Sequence, residues 1–275
     1  MARVRSEIPQ PQSDGLVTPD VGIWAEDKYA LVALYATLFS SGMKNKWGNR
    51  VYIDLYAAAG VSRIRGTERL VYGSPLLALT VKDSFDKYIF CEEDPEQFEA
   101  LKIRAKRLRP DANVQFILGD CDEMIDSIVS EVPKGSLTFC FVDPYDLGIR
   151  FGTIEKLAAL RTDFLVLLAL QMDAARNKLN YFAEGSTKVA DMLGDPNWRE
   201  LWRHAEGSGE SFPQFLADQF KKKLASLGYR PPPPMRDIKD GNRVLYRLGI
   251  FSRSEKAYDF WDEVLNYSTP QRKLF

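Results

Sequence analysis

Residues 51–60, VYIDLYAAAG, are the most informative segment of the sequence. An apolar run typical of a buried β-strand ends in Asp54, and small residues then lead to Gly60. Small side chains after a strand let the backbone turn sharply and approach a ligand closely. In an open α/β sheet, ligands bind outside the carboxyl ends of the strands, so this turn is the expected position of a nucleotide-like ligand. Simple tight packing explains such a turn equally well.

Composition indicates an ordinary globular protein. The chain has 275 residues, 45% hydrophobic and 27% charged, enough for one large α/β domain or two small ones. A formal charge of −1 gives no overall attraction to polyanions, so nucleic-acid contacts would need a local patch. No run approaches the roughly 18 apolar residues of a membrane span, and the first residues lack an apolar signal core. We therefore expect a soluble, cytoplasmic protein without membrane contact.

The three cysteines, Cys91, Cys121 and Cys140, lie far apart and each is next to a predicted strand. Their spacing matches no zinc site and their number is odd. We expect buried free thiols in a reducing compartment, and no metal site.

The beginning of the chain changes character near residue 20. Residues 1–20 are polar and proline-punctuated, which predicts an extended or mobile arm, followed by a single α/β domain over 21–275. Apolar residues recur at helical spacing over 21–39 and predict an amphipathic helix that carries Lys28.

The segment after the turn is basic. Residues 61–72 predict an irregular loop with three arginines, which could contact phosphates. The following GSPLLAL places Ser74 as a helix cap before Pro75. Free amides at this helix start could hold an anion such as a cofactor carboxylate, although a plain cap is an equal alternative.

Acidic residues follow the next two predicted strands. Glu92, Glu93 and Asp94 end the strand at 88–91, and a carboxylate there can accept hydrogen bonds from both hydroxyls of a ribose. We favour Glu92, the first of the three. After the strand at 114–118, Asp120 could accept from an adenine amino group or cap the next helix.

The fourth strand, 137–142, runs into Asp143, Pro144 and Tyr145. An acid followed by proline offers a carboxylate and a carbonyl without a competing amide donor. These acceptors could hold an amino group while an aromatic ring stacks on a flipped-out base, and a sharp turn capped by Asp143 is the alternative. Further on, the sequence predicts a buried strand at 163–170, a helical insertion at 172–227 and an Asp-Gly hairpin at 238–244.

Together these features resemble the class I S-adenosylmethionine-dependent methyltransferases, and more closely the three-Cys-motif partner protein (TcmP) family. The resemblance is carried by the helix of Trp24 and Lys28 and by YIDLYAAAG (52–60), GSPLLAL (73–79), FCEEDPEQFEALK (90–102), GDCDEMI (119–125), FVDPYDLGI (141–149) and YRLGIFSRSEKAYDFW (246–261). It implies a Rossmann-like α/β fold with a mostly parallel seven-stranded sheet, helices on both faces and a C-terminal antiparallel hairpin.

The resemblance also implies S-adenosylmethionine as cofactor and N-methylation of an amino group on a nucleic-acid base. The implied catalytic residues are Asp143, Pro144 and Tyr145. The implied cofactor-binding residues are Lys28, Asp54, Tyr56, Ala58, Gly60, Ser74, Glu92, Asp120 and Cys121. A three-Cys-motif protein encoded nearby is an implied partner, and the family name refers to that protein's cysteines.

Two departures from the pattern keep alternatives open. Ala58 stands where such turns usually have glycine, and Tyr145 and Asp146 replace the second proline and the aromatic residue of Asp-Pro-Pro-Tyr enzymes. A catalytically degenerate partner protein, or a methyltransferase for a small-molecule or protein acceptor, therefore remain alternatives. A nicotinamide dehydrogenase fits less well, because it needs Gly-x-Gly-x-x-Gly followed by an acid about 20 residues later.

Overall fold

A computed structural model describes residues 10–168 and 178–267. Its main sheet has the spatial order β6-β5-β2-β7-β8-β10-β9. The strands are β2 (Arg50–Asp54), β5 (Lys87–Glu92), β6 (Val114–Leu118), β7 (Leu137–Val142), β8 (Arg161–Leu168), β9 (Arg236–Asp240) and β10 (Arg243–Phe251). The first five strands in this order are parallel, and β10 is antiparallel to β8 and β9. The predicted α/β fold, with its seven-stranded, mostly parallel sheet and C-terminal hairpin, is confirmed.

Helices cover both faces of this sheet. They are α1 (Ala25–Met43), α2 (Ser74–Leu79), α3 (Pro95–Leu108), α4 (Ile125–Ser130), α5 (Phe151–Ala158), α6 (Lys178–Phe182), α7 (Lys188–Leu193), α8 (Trp198–Gly207), α9 (Phe212–Ser226) and α10 (Glu255–Tyr267). The predicted insertion at 172–227 is helical in its described part, and residues 172–177 lie outside the described residues. Residues 169–170 of the predicted fifth strand lie outside them as well.

The core has two layers because neighbouring residues of a strand point to opposite faces. Tyr52 packs with Tyr35 of α1 and Trp261 of α10 on one face. Ile53 belongs to the other face, where Trp198 and Phe215 of the helical insertion are buried. The central strand β2 is buried along its whole length, which fixes the position of the turn that follows it.

A second, smaller sheet follows that turn. It has the order β1-β3-β4, formed by β1 (Asp20–Val21), β3 (Val61–Ile64) and β4 (Leu70–Tyr72). The prediction of an irregular loop at 61–72 is therefore wrong, because the segment is a β-hairpin. Its strands have only four and three residues, too short to show a clear alternation.

The predicted arm is described from residue 10 onward, and residues 1–9 lie outside the described residues. Between residues 10 and 19 the chain forms neither helix nor strand, and β1 then pairs in parallel with β3. The three cysteines are free and buried, as predicted. In the described parts of the chain, no helix is long and apolar enough to span a membrane.

Candidate functional site

The site is built on the carboxyl edge of the sheet. Because β2, β5, β6 and β7 run parallel, their carboxyl ends meet at the same edge. Asp54 and Glu92 end β2 and β5, Asp120 follows β6, and Asp143 directly follows β7. The fold therefore brings the four acidic residues singled out from the sequence to a common edge.

Asp54 is a fully buried carboxylate beneath the turn. It accepts hydrogen bonds from the Tyr52 hydroxyl at 3.1 Å and from the Tyr56 amide at 3.3 Å, and the Ser74 side chain is a further hydrogen-bond partner. Burial raises the pKa of Asp54 to about 7, and the like charge of Asp143 adds to this effect against the opposing hydrogen bonds. The group therefore titrates near neutral pH.

Ser74 has a different role from the predicted one. The N-cap of α2 is Gly73, and Ser74 is the first helical residue. Its buried side chain interacts with Asp54 and Tyr52. The prediction that Ser74 caps this helix is wrong, and the residue instead supports the buried carboxylate.

The turn at residues 57–60 contains a strained alanine. Ala58 has a φ of 50°, a left-handed conformation that costs a non-glycine residue about 1 kcal/mol or more. Its amide donates to Glu92 Oε2 at 2.7 Å. Gly60, with φ 76°, packs so closely that an added Cβ would lie 2.9 Å from Leu101. A glycine at position 60 therefore allows both the left-handed backbone conformation and the close packing against α3.

The three acids after β5 occupy different environments. Glu92 is buried and accepts from the amides of Ala58 and Asp94. Glu93 is exposed, and Asp94 caps α3 by accepting from the amides of residues 96 and 97. Burial raises the pKa of Glu92, although its two backbone hydrogen bonds oppose the shift. Glu92 is thus the acid of this group that contacts the turn.

The two residues singled out after β6 point to different surroundings. Asp120 is exposed and accepts from the amide of Asp122 at 2.7 Å, which stabilises the local turn. Cys121 is buried beside Tyr56. Burial raises the pKa of the Cys121 thiol to about 12, so the thiol is neutral at physiological pH.

A contact between distant parts of the chain joins Lys28 to Asp143. Lys28 Nζ donates to Asp143 Oδ2 at 2.5 Å, and the two side chains are only 12% and 14% exposed. Burial is the largest single influence and lowers the pKa of Lys28, but the charge and hydrogen bond of Asp143, together with Tyr29, raise the pKa overall. The lysine is therefore cationic and its charge is balanced by Asp143.

Tyr29 was missed by the sequence reasoning. Its ring lies 4.7 Å from Lys28 Nζ, and its hydroxyl interacts with Ser62 of β3. Burial raises the pKa of Tyr29, which keeps the phenol neutral. Nothing in the helical pattern of 21–39 distinguishes this tyrosine from a packing residue.

The loop after Asp143 presents one aromatic side chain to solvent. Pro144 and Leu147 are buried, whereas Tyr145 is 93% exposed. Asp146 forms an ion pair with Lys188 of α7, which ties the loop to the helical insertion. Tyr145 therefore projects from a loop that is anchored on both sides.

The basic segment carries less free charge than its sequence suggests. Arg63 forms an ion pair with Asp20 at 3.1 Å, and Arg69 pairs with Glu26. Arg65 is exposed near the tip of the β3–β4 hairpin. Two of the three arginines singled out for phosphate contacts are thus already balanced by carboxylates.

A cavity of about 450 Å³ lies elsewhere, between residues 15–17 and the first turns of α3. Its lining combines apolar side chains, such as Leu16 and Ile103, with Glu96 and Glu99. None of the residues predicted for the site lines it.

Comparison with known proteins identifies a fold class. No protein-family profile matches the chain, and no curated protein matches its sequence. Membership of the TcmP family therefore stays a prediction.

Solved structures do match. Trm1 from Pyrococcus horikoshii, in complex with S-adenosyl-L-methionine, has a TM-score of 0.51 at 9% identity, over 92% of this chain and 64% of Trm1. A candidate O-methyltransferase from Klebsiella pneumoniae has a TM-score of 0.50 at 11% identity, over 92% of this chain and 95% of that one. TYW2 from M. jannaschii in complex with AdoMet has a TM-score of 0.42 at 12% identity, over 85% and 78% of the two chains. At these identities the likeness to Trm1 and to the Klebsiella protein shows the fold alone, which is the Rossmann-like fold of methyltransferases.

Proposed function

We propose that the protein is an S-adenosylmethionine-dependent methyltransferase that acts on an amino group of a nucleic-acid base. The observation that carries the proposal is the ion pair of Lys28 and Asp143, placed at the same sheet edge as the buried acids Asp54 and Glu92. In open α/β sheets this edge binds ligands. The methyltransferase fold of Trm1 and the Klebsiella protein supports the reaction class.

The carboxylates at the turn fit this cofactor. Each oxygen of Glu92 accepts one backbone hydrogen bond, and a carboxylate oxygen has a second acceptor site that can take a ribose hydroxyl. Asp54 is a buried carboxylate whose pKa is raised to about 7, so a cationic ligand group beside it would be favourable. S-adenosylmethionine would supply the electrophilic methyl group.

Asp143 is the residue that we assign to the acceptor. Lys28 binds Oδ2 and holds the carboxylate in place, and Oδ1 with the carbonyl of Pro144 would accept hydrogen bonds from the amino group. This arrangement orients the nitrogen lone pair for in-line displacement, which needs positioning more than proton transfer. Because Lys28 is cationic, it cannot act as the base, and the proton released from the methylated nitrogen would pass to solvent.

One exposed side chain bears on the class of acceptor. Tyr145 is exposed and can stack on an unpaired base.

A second candidate function is a catalytically inactive scaffold that acts with a three-Cys-motif protein. The strained Ala58 and the altered Asp-Pro-Tyr sequence are the observations that support this candidate. A small-molecule or protein acceptor is the remaining alternative within the enzyme proposal.

Tritiated methyl transfer from S-adenosylmethionine onto DNA, RNA and protein pools tests the proposal. We expect label on nucleic acid with the wild type and none with Asp143→Ala, whereas Asp163→Asn at the opposite sheet edge should behave as wild type. Binding to the labelled nucleic acid should weaken with added salt. Label on protein alone would overturn the choice of acceptor, and equal label with Asp143→Ala would exclude Asp143 as the acceptor anchor. Binding of S-adenosylmethionine without transfer to any pool would favour the scaffold.

A further inference from the structure

Arg104 of α3 joins the N-terminal segment to the turn at residues 57–60. The guanidinium is only 5% exposed, and one of its nitrogens, Nη1, donates both to the Ala59 carbonyl at 2.8 Å and to the Val17 carbonyl at 2.9 Å. Nε and Nη2 form a two-point contact with Asp14, at 2.9 and 2.8 Å, and Nη2 also donates to Thr18 Oγ1 at 2.9 Å. A planar guanidinium suits this fixed set of partners better than a lysine would.

A second connection joins the N-terminal segment to the strand that follows the turn. β1 pairs in parallel with β3, which begins directly after Gly60. The amide of Arg63 donates to the Pro19 carbonyl at 3.0 Å, and the amide of Arg65 donates to the Val21 carbonyl at 2.8 Å. Residues 14–18 therefore reach the carbonyl just before Gly60 through Arg104, and residues 19–21 pair directly with β3, the strand that begins after Gly60.

The turn needs such support because its conformation is unfavourable for its sequence. Ala58 adopts a left-handed backbone conformation, which persists only when surrounding contacts determine it. Glu92 holds the Ala58 amide from one side, and Arg104 holds the next carbonyl, that of Ala59. Asp14 balances the charge of Arg104 and fixes its orientation.

From these contacts we infer that residues 14–21 are needed for full affinity at the cofactor site, because they support the conformation of the turn. Arg104 is the positioning residue that links them to the turn. This role of residues 14–21 rests on the proposed function and adds residues outside the turn to the same site. Coupling between two sites is reciprocal, so ligand at the turn also stabilises the bound N-terminal segment. A substitution that releases residues 14–21 therefore weakens the affinity for the cofactor, although the substituted residue does not contact the cofactor.

The test compares Asp14→Asn with Arg107→Gln. Asn at position 14 keeps the shape of the side chain and removes the charge that holds Arg104. Arg107 is a matched control because it lies on the same helix, approaches Asp14 only to 3.7 Å and is 62% exposed. Affinity for S-adenosylhomocysteine is measured by calorimetry well below the unfolding temperature, and hydrogen exchange is followed at the Ala58 amide and at the amides of β3.

We expect Asp14→Asn to raise the dissociation constant about 10-fold and Arg107→Gln to change it less than twofold. Arg104→Lys should raise it at least as much as Asp14→Asn. Without ligand, the Ala58 amide should exchange faster in Asp14→Asn than in wild type, and in wild type the ligand should slow exchange at residues 16–20.

A lower unfolding temperature of Asp14→Asn with unchanged affinity and unchanged Ala58 exchange would overturn the inference, because the segment would then be only structural. If wild type binds no S-adenosylhomocysteine, the proposed function fails and the cofactor role of the segment fails with it. Hydrogen exchange would still distinguish failure of the proposed function from failure of the structural link. Faster exchange of the Ala58 amide in Asp14→Asn reports the link through Arg104 and does not require a bound ligand.

Discussion

The two edges of the main sheet each contain a buried aspartate with a serine partner. Asp54 lies at the carboxyl edge and interacts with Ser74, and Asp163 lies near the amino end of β8 and accepts from the Ser252 hydroxyl at 2.5 Å. Burial raises the pKa of each to about 7. In burial, pKa and serine partner the two groups are alike.

Their wider surroundings differ. Asp143 adds a second negative charge near Asp54, and Lys28 binds that second carboxylate. Near Asp163 the charged neighbour is Arg253, whose guanidinium donates to backbone carbonyls. A raised pKa alone therefore does not mark a functional site, and the arrangement of the surrounding charges is the more informative feature.

The largest effect should come from Asp143→Asn. In the proposed mechanism, the one remaining oxygen of asparagine would be bound by Lys28 and the other would be replaced by an amide donor that cannot accept from the amino group, so turnover should fall at least about 1,000-fold, or roughly 4 kcal/mol in the activation barrier. Affinity for S-adenosylhomocysteine should change less than about twofold, as measured by calorimetry beside the methyl-transfer assay. Similar losses with Asp143→Asn and Asp163→Asn would remove the distinction between the two edges.

The pH dependence of stability should be the same at both edges. An aspartate has a pKa near 3.9 in the unfolded chain, so the folded protein binds more protons between about pH 4 and pH 7. The stability contributed by each group is therefore present below about pH 4 and lost as the pH rises towards 7.

Asp163→Asn should consequently gain roughly 2 to 4 kcal/mol relative to wild type between pH 4 and pH 7, and Asp54→Asn should gain a similar amount. Urea unfolding at each pH measures the difference. A difference that does not vary with pH would mean that these carboxyl groups ionise normally in the folded protein.

Lys28→Met should show what the ion pair adds at the carboxyl edge. Breaking a buried pair leaves one charge without a partner, which destabilises the folded protein. Because both side chains here keep some exposure, the free energy of unfolding should fall by only roughly 2 to 3 kcal/mol. The double variant Lys28→Met, Asp143→Asn should cost less than the sum of the single changes. Additive costs would show that the pair contributes no coupling.

Tyr145→Ala should have the smallest effect on the fold. The side chain is 93% exposed, so the free energy of unfolding should change by less than about 0.5 kcal/mol. Binding of the nucleic-acid acceptor should weaken by roughly 1 to 3 kcal/mol if the ring stacks on a base. Unchanged acceptor binding in a titration would remove Tyr145 from the acceptor site.

The sequence was sufficient for the main sheet because its signals are local. The apolar runs of β2, β5 and β7 are local in sequence; β2 and β5 end in an acidic residue, and one follows β7 directly. The Asp-Gly pair predicted a hairpin, and Gly241, with φ 58°, lies at the turn between β9 and β10.

The missed features depend on contacts between distant residues. Lys28 and Asp143 are 115 positions apart, and Asp14 and Arg104 are 90 apart, so no local periodicity reports their contact. The β3–β4 hairpin was missed because its strands are short, although Gly66 between them, with φ 77°, was an available turn signal.

Calorimetry of S-adenosylhomocysteine with wild type, Asp54→Asn and Asp163→Asn measures whether the carboxyl edge binds the proposed cofactor. Wild type should bind with a dissociation constant in the micromolar-to-millimolar range, about 4 to 8 kcal/mol. Asp54→Asn should weaken binding by roughly 1 to 3 kcal/mol, the loss of an interaction with a charged group, and Asp163→Asn should stay within about twofold of wild type. Absence of binding to wild type, or equal losses in the two variants, would contradict the account.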